Sequence, residues 1–305
     1  MRLRLGTRGS ALALAQSGTV ARALEGLGAE VELVRIETAG DADQARPFAE
    51  IGEPGVFVRA LERALSDGRI DLAVHSYKDL PSQSPPELAV AAAPERADPR
   101  DRLLVRTGAF QAGAPALPLA DGARVGTSSA RRAALLRDLR PDLATLLLRG
   151  NVDTRLAKVE RGDYDAILLA AAGLDRLGRP KVGKPLSVDV MLPAPGQGAI
   201  GIECRADDGE TCSTLARLDV HLTSSAVRAE RAFVAALGGS CHSPVAALAE
   251  VHDGQVHLRA EILSEDGKDC VADEARFPIG DERAAAGLAK AMLGRAPESI
   301  RRLFA

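Results

Sequence analysis

Short apolar runs that break into polar turns and then into helical patterns fix the kind of fold open to this chain. Residues 3–5 alternate as a strand and stop at Gly6-Thr7-Arg8-Gly9-Ser10, where Ser10 can cap a helix whose apolar residues include Leu12, Ala15, Ala23 and Leu24. Residues 31–36 read as a second strand, about 57–66 as a helix, and 70–74 as a third strand running into His75-Ser76-Tyr77-Lys78-Asp79-Leu80-Pro81. A charged, Pro-containing stretch at 94–99 can join two domains. Beyond it the rhythm restarts, with strands at 102–105, at Val125, at 145–148 and at 166–170. Strands alternating with helices at this spacing predict right-handed βαβ units and a mainly parallel sheet. The turn-rich passage 191–198 precedes a strand at 199–203 that can return the chain to the first sheet. From about residue 219 the pattern changes to a long helix ending at 237, strands near 245–251, 255–263 and 270–277, and a helix over about 282–293, the order of a small α+β domain.

Charge is distributed unevenly over this frame. Residues 124–155 hold seven arginines against three aspartates in a chain whose formal net charge is only -3. Within them Arg124-Val125-Gly126-Thr127-Ser128-Ser129-Ala130-Arg131-Arg132 and Leu148-Arg149-Gly150-Asn151-Val152-Asp153-Thr154-Arg155 each follow an apolar run and open a helix. Hydroxyls, backbone N–H groups and the positive end of a helix dipole then converge with guanidinium forks, which suits carboxylate or phosphate. A solvated helix face laced with salt bridges is the structural alternative. Arg8 and Ser10, the Ser76 to Asp79 turn, the two arginine clusters, and Gly173 to Arg176 all fall just past the carboxyl end of an expected strand. Doubly wound sheets bind ligands along that edge, and two such sheets facing each other would enclose a cleft with arginines on one wall and Lys78 and Asp79 on the other.

Composition narrows the partners. With 46% hydrophobic and 27% charged residues the chain is an ordinary globular protein with room for two or three domains. No apolar run reaches the roughly 18 residues of a membrane span, and no signal-peptide pattern opens the sequence, so a cytoplasmic location is expected. A pI near 6.0 without a basic domain argues against nucleic acid. Cys204, Cys212, Cys241 and Cys270 form no Cys-x-x-Cys pair and have no His at ligand spacing, so free thiols and no metal are expected.

Two features offer chemistry. Asp79 is the only carboxylate in its turn: aimed into a cationic cleft it can accept a proton or stabilise developing positive charge, and otherwise it pairs with Lys78 or caps the turn. Cys241, in Gly238-Gly239-Ser240-Cys241-His242-Ser243-Pro244, is either a thiol presented on a flexible loop or a small buried hydrophobe. His242 is a poor partner for it, because adjacent residues of an extended segment point to opposite faces. Gly196-Gln197-Gly198 is too short for a dinucleotide fingerprint, and Gly126-Thr127-Ser128-Ser129 lacks the lysine of a P-loop.

Taken together, Val74-His75-Ser76-Tyr77-Lys78-Asp79-Leu80-Pro81, Gly126-Thr127-Ser128-Ser129 with Arg131-Arg132, Leu148-Arg149-Gly150-Asn151-Val152 with Thr154-Arg155, Ala170-Ala171-Ala172-Gly173-Leu174 with Arg176, Gly196-Gln197-Gly198 with Ile202-Glu203-Cys204-Arg205, and Gly239-Ser240-Cys241 with Pro244 resemble the porphobilinogen deaminases, also called hydroxymethylbilane synthases. The motifs run in order from Arg8 to Pro244. The resemblance implies an α/β fold of two doubly wound lobes like those of type II periplasmic binding proteins, plus a small C-terminal α+β domain. It divides the chain into 1–97 with 196–217, then 98–195, then 218–305. It implies a monomer that adds four porphobilinogen molecules, with loss of ammonia, to a dipyrromethane cofactor held through a thioether on Cys241, and then frees a linear tetrapyrrole by hydrolysis.

By the same resemblance Asp79 is the catalytic carboxylate that contacts pyrrole nitrogens. Ser76, Lys78, Thr127, Ser128, Ser129, Arg131, Arg132, Gly150, Asn151 and Arg155 correspond to cofactor contacts. Arg8, Ser10, Gln16, Arg149, Arg155, Arg176 and Gln197 correspond to substrate contacts. The chain departs from the family at Gly52-Glu53-Pro54-Gly55-Val56-Phe57, where a lysine-bearing Gly-Gly-Lys-Gly loop is usual, and it has Glu50 where some relatives carry lysine; a basic lid is not implied here. The residues alone also admit a non-catalytic anion-binding protein with a two-lobed cleft, or an acyl transferase working through an acyl thioester on Cys241. Without a signal peptide a periplasmic carrier is disfavoured, and without a recognisable helix-turn-helix so is a regulator.

Overall fold

A computed structural model describes residues 1–36, 56–114, 116–239 and 243–304. In chain order the elements are β1 (Arg2–Thr7), α1 (Ala11–Gly26), β2 (Glu30–Arg35), α2 (Val56–Ser66), β3 (Leu72–Ser76), β4 (Leu88–Ala92), β5 (Asp101–Val105), β6 (Arg124–Thr127), α3 (Ala130–Leu139), β7 (Ala144–Leu147), α4 (Val152–Glu160), β8 (Ala166–Ala170), α5 (Ala171–Arg176) and β9 (Lys184–Pro185). They continue with β10 (Ile200–Arg205), α6 (Gly209–Ala216), α7 (His221–Leu237), β11 (Val245–His252), β12 (Gln255–Leu263), β13 (Cys270–Pro278), α8 (Glu282–Arg295) and α9 (Glu298–Arg301). The chain divides into two compact units, Met1–Ala97 with Gly198–Ser224, and Asp98–Gln197 with Ser225–Ala305.

The first unit is built on a five-stranded sheet of order β2-β1-β3-β10-β4. Central strand β3 is buried on both faces, and its two-residue period sorts its side chains. Leu72 and Val74 pack with Leu3, Leu5 and the α1 residues Val20 and Leu24, while Ala73 packs with Leu61 and Leu65 of α2. The second unit repeats the plan in a sheet of order β7-β6-β8-β5-β9 and adds the three-stranded sheet β11-β12-β13. Strand β11 also divides its side chains: Val245, Ala247 and Ala249 face a core with Phe233 and Met292, and Ala246 and Leu248 join Leu103, Val125 and Leu168 of the five-stranded sheet. The architecture is thus mixed α/β with a smaller α+β portion, as the residue pattern leads one to expect.

The sheets are not mainly parallel. In the first, β1 pairs in parallel with β2 and β3, but β10 runs antiparallel to β3 and β4. In the second, β6 is parallel to β7 and β8, and β5 is antiparallel to β8 and β9. Strands β5 and β10 are those on which the chain enters a unit from the other one. No crossover helix within the sheet precedes them, so nothing forces the parallel arrangement. Strands β4 and β9 and helix α6 are not announced by the sequence. The alanine-rich Leu88–Ala92 run has weak strand propensity and becomes a strand by pairing with β10.

Phe233 has no exposed surface at the centre of the core between the three-stranded sheet, α7 and α8. Truncation of such a ring leaves a cavity that costs about 3–5 kcal/mol. Phe233→Ala is therefore expected to lower the denaturant midpoint of the second unit's unfolding by a corresponding amount; an unchanged midpoint would contradict this core assignment.

Candidate active site

Strands β1 and β3 are parallel neighbours, with Leu5 beside Leu72 and Gly6 beside Ala73, so the turns after them open at one sheet edge. Arg8 and Ser10 come from the first turn, and Ser76, Lys78 and Asp79 from the second, whose residues Tyr77–Asp79 form a single 3-10 turn. Arg8, Ser10, Gln16, His75, Ser76 and Asp79 line one cavity, with Leu12, Val58 and Leu61 as its apolar wall. Ser10 caps α1 by accepting the Ala13 N–H at 3.3 Å. Gln16 is buried and donates from Nε2 to Ser76 Oγ at 2.9 Å, which ties α1 to the end of β3. The buried Tyr77 donates its N–H to Ala199 O at 3.0 Å, fixing the turn while Asp79 stands exposed at its end.

Behind that cavity lie acids that the sequence reading missed. His75 Nε2 and Glu203 Oε2 are 3.2 Å apart, off the line of a hydrogen bond, and both side chains are buried. Burial, and then the Glu203 charge, push the Glu62 carboxyl above its ordinary range. The signal available was a lone acid inside the apolar run Ile200-Gly201-Ile202-Glu203-Cys204.

The second unit gathers its arginines at the matching edge, past the parallel strands β6, β7 and β8. Ser129 caps α3, accepting the Arg132 N–H at 3.4 Å, and its own N–H donates to Thr127 Oγ1 at 3.1 Å. Thr127 is buried and Ser128 exposed. The next two side chains turn inward to an acid that the sequence does not single out. Asp101 has no exposed surface; Arg131 Nη2 donates to its Oδ2 at 2.7 Å, and Arg132 donates to its Oδ1 from Nη2 at 2.6 Å and from Nε at 3.2 Å. The arginines also bond Leu192 O and Leu168 O, at 2.7 and 3.1 Å. Gln197 completes the cluster, with Nε2 at 2.8 Å from Asp101 Oδ1 and 2.7 Å from Pro99 O. Its turn is held by the buried Glu230, which accepts the N–H groups of Gly196 at 2.5 Å and Ala249 at 2.7 Å. Burial alone would raise the Asp101 carboxyl, but the two guanidinium charges and their bonds more than reverse this and hold it far below the carboxylate range.

The following turn is shaped by its backbone. Gly150 has φ +109°, and a Cβ there would lie 2.6 Å from Thr154 Cγ2, so glycine is required. Asn151 caps α4, accepting from Thr154 N and Oγ1 at 2.9 Å each. Arg155, half-buried, donates to Gly150 O at 2.7 Å and reaches Ser128 Oγ at 3.5 Å. Burial and the adjacent Arg132 charge both pull its guanidinium below the ordinary arginine range. Arg176, half-buried at the end of α5, is also lowered by burial, against the pull of Asp175. Arg149 is half-buried at the start of the same turn. Cys241, with Ser240 and His242, lies outside the described residues, as does most of the 50–57 segment.

The first unit thus brings Arg8, Ser10, Gln16, Ser76 and Asp79 around one cavity. The second places more guanidinium charge at one sheet edge than its buried acid can balance. Fold and clusters together define an α/β protein for anionic ligands. Residues 3–213 match the model described as porphobilinogen deaminase, dipyromethane cofactor binding domain, and residues 224–293 match the porphobilinogen deaminase C-terminal domain. The porphobilinogen deaminase of Sphingopyxis alaskensis is 52% identical over 308 residues, covering 99% of this chain and 96% of that protein. The one from Syntrophotalea carbinolica is 46% identical, covering 98% and 94%, and the one from a Roseiflexus species is 51% identical, covering 87% and 86%.

The chain belongs to the porphobilinogen deaminase family. Its activity is that of a hydroxymethylbilane synthase, a transferase of tetrapyrrole (haem) biosynthesis that joins four porphobilinogen molecules on a dipyrromethane cofactor with release of ammonia, then frees hydroxymethylbilane by hydrolysis.

Replacing Asp101 by Asn leaves two buried guanidinium cations facing a neutral amide, and loss of one partner from a buried ion pair costs about 3–5 kcal/mol. The folded-state carboxyl is depressed. Its contribution is therefore complete above the unfolded carboxylate value of about 4 and fades as pH falls below it. Asp101→Asn should lower the urea midpoint at neutral pH, with the gap to wild type narrowing steadily as pH falls below about 4. Equal midpoints at neutral pH would contradict the ion cluster.

Proposed function

We propose that Asp79 supplies the chemistry of this transferase and that the arginines of the second unit supply position. The observation that carries the reading is the contrast between the two edges: a carboxylate exposed in a cavity with Arg8 and Ser10, and a cluster of arginines whose charge Asp101 balances only in part. Loss of ammonia from porphobilinogen makes an electron-poor, cationic methylene-pyrrole, and each carbon–carbon bond then formed must shed a proton. A carboxylate at the end of β3 can accept hydrogen bonds from pyrrole N–H groups and stabilise both positive charges. Positioned acid–base help is worth roughly 10²–10⁴-fold, and electrostatic stabilisation adds to it.

The residues present fit a polycarboxylate cofactor. Arg131 Nε is buried without a hydrogen-bond acceptor among the described residues, and Arg155 donates to a carbonyl and a hydroxyl, with no carboxylate bonded to it among the described residues. When bound, dipyrromethane supplies the pyrrole carbon to which the first substrate is joined. In this reading Cys241 is its attachment point; Ser76, Lys78, Thr127, Ser128, Ser129 and Arg155 face its acidic side chains, to which Arg131 and Arg132 add positive charge from the Asp101 cluster; and Gly150 and Asn151 set the turn that aims Arg155. Arg8, Ser10, Gln16, Arg149, Arg155 and Arg176 receive the substrate's two carboxylates, and Gln197 acts through Asp101. The protein works as a monomer in the cytoplasm, with domains 1–97 plus 196–217, 98–195 and 218–305, a division that the three sheets support. Among the described residues no helix is long and apolar enough to cross a membrane.

Intact-protein mass with peptide mapping tests the assignment. Purified protein should carry two linked pyrroles on Cys241 and none on Cys204, Cys212 or Cys270, and Cys241→Ser should fold without them. A charged fork is worth about 1.5–3 kcal/mol, so Arg155→Leu should lower the cofactor-loaded fraction while leaving the circular dichroism spectrum intact. Fully active protein with an unmodified Cys241 would overturn the assignment.

A further inference from the structure

Two sulfurs outside the Asp79 cavity lie within hydrogen-bonding contact of each other. Cys204 Sγ and Cys212 Sγ are 3.3 Å apart. Cys204 lies in β10, its backbone fixed between Leu72 of β3 and Ala89 of β4, and it has no exposed surface. Cys212 sits in the middle of α6, half-buried, with its Sγ also 3.4 Å from Arg205 O. The helix is held in register with the end of the strand by Asp208, which accepts Thr211 N at 3.1 Å, Thr211 Oγ1 at 2.8 Å and Arg205 Nη2 at 3.0 Å. Neither cysteine lines the Asp79 cavity.

We propose that Cys204 and Cys212 form an oxidisable dithiol, a modification site that takes a hydroperoxide as oxidant and closes to a disulfide joining β10 to α6. A disulfide bond is about 2.05 Å long, so the sulfurs need approach by only about 1.3 Å. That movement falls to Cys212 and its eight-residue helix, since Cys204 is clamped in the sheet. Cys212, the more accessible thiol, reacts first: its sulfur attacks the peroxide O–O bond, giving a sulfenic acid and releasing the alcohol, or water from hydrogen peroxide. Cys204 then loses its proton, and its sulfur displaces the sulfenic oxygen as water while the S–S bond forms. Two thiols and one hydroperoxide thus give one disulfide, one alcohol and one water; the thiols lose two electrons and two protons, and the peroxide bond takes them up. Burial, and next the bond to Cys212, push the Cys204 thiol up to about 12, so it is not the thiol that attacks the peroxide first.

Trypsin cuts after Arg205, so Cys204 falls in the peptide 182–205 and Cys212 in 206–217. Native cofactor-loaded protein treated with hydrogen peroxide, then denatured, alkylated and digested without reductant, should yield these two peptides linked, lighter by two hydrogens than their sum and separated by dithiothreitol. Because Cys204→Ser would bury a hydroxyl in the core of the sheet, the control is Cys212→Ser, which should give no linked pair and leave Cys204 alkylated. The proposal is overturned if peroxide oxidises the exposed Cys270 while Cys204 and Cys212 both remain alkylatable. It is equally overturned if either cysteine pairs only with Cys270, or if the link forms only after the chain is unfolded in urea.

Discussion

The buried carboxylate of Asp101 is the contact on which the second unit's edge depends. It opens β5, and three donors from elsewhere in the chain end on it: Arg131 and Arg132 from the first turn of α3, and Gln197 from the turn that Glu230 holds. Two cations cannot be buried side by side without such an acid, because desolvation would outweigh any packing they gain. A hydrophobic cluster of the same volume would stabilise the fold as well or better. It would not give α3 a fixed entry angle, nor leave the surrounding turns in a positive field.

That field and the backbone act together. Ser129 and Asn151 each cap a helix whose N-terminus faces the same edge, and Gly150 lets the chain bend sharply enough to set Arg155 beside Ser128. Arginine suits this task better than lysine, since a planar fork meets a carboxylate with two parallel bonds and stays charged when burial lowers its proton affinity. The first unit uses the opposite device. At its sheet edge the Gln16–Ser76 bond and the anchored Tyr77 hold one exposed carboxylate in place.

Much of this was legible in the sequence because the relevant signals are local. The strand–turn–helix rhythm located both sheets and the small C-terminal sheet, and glycine, serine and asparagine marked the turns at Ser10, Ser129 and Asn151. Pairing partners far apart in sequence were not legible. Nothing near Arg131 announces Asp101, thirty residues upstream, and nothing near Gly196 announces Glu230, 34 residues downstream. The antiparallel entry of β5 and β10 was missed for the same reason, since direction is set by the chain passing between units and not by any pattern within the strands. The arginines were read as free forks, whereas Arg131 and Arg132 already hold an internal acid; only the structure distinguishes them from Arg155.

We propose a division of labour, with chemistry at Asp79 and position at the arginines. Single-turnover kinetics of cofactor-loaded Asp79→Asn, measured beside its thermal midpoint, tests it most directly. The expected result is a normally stable, loaded protein whose turnover falls by at least about 10³-fold, the scale of a positioned acid–base group. A stable, loaded variant turning over at the wild-type rate would contradict it.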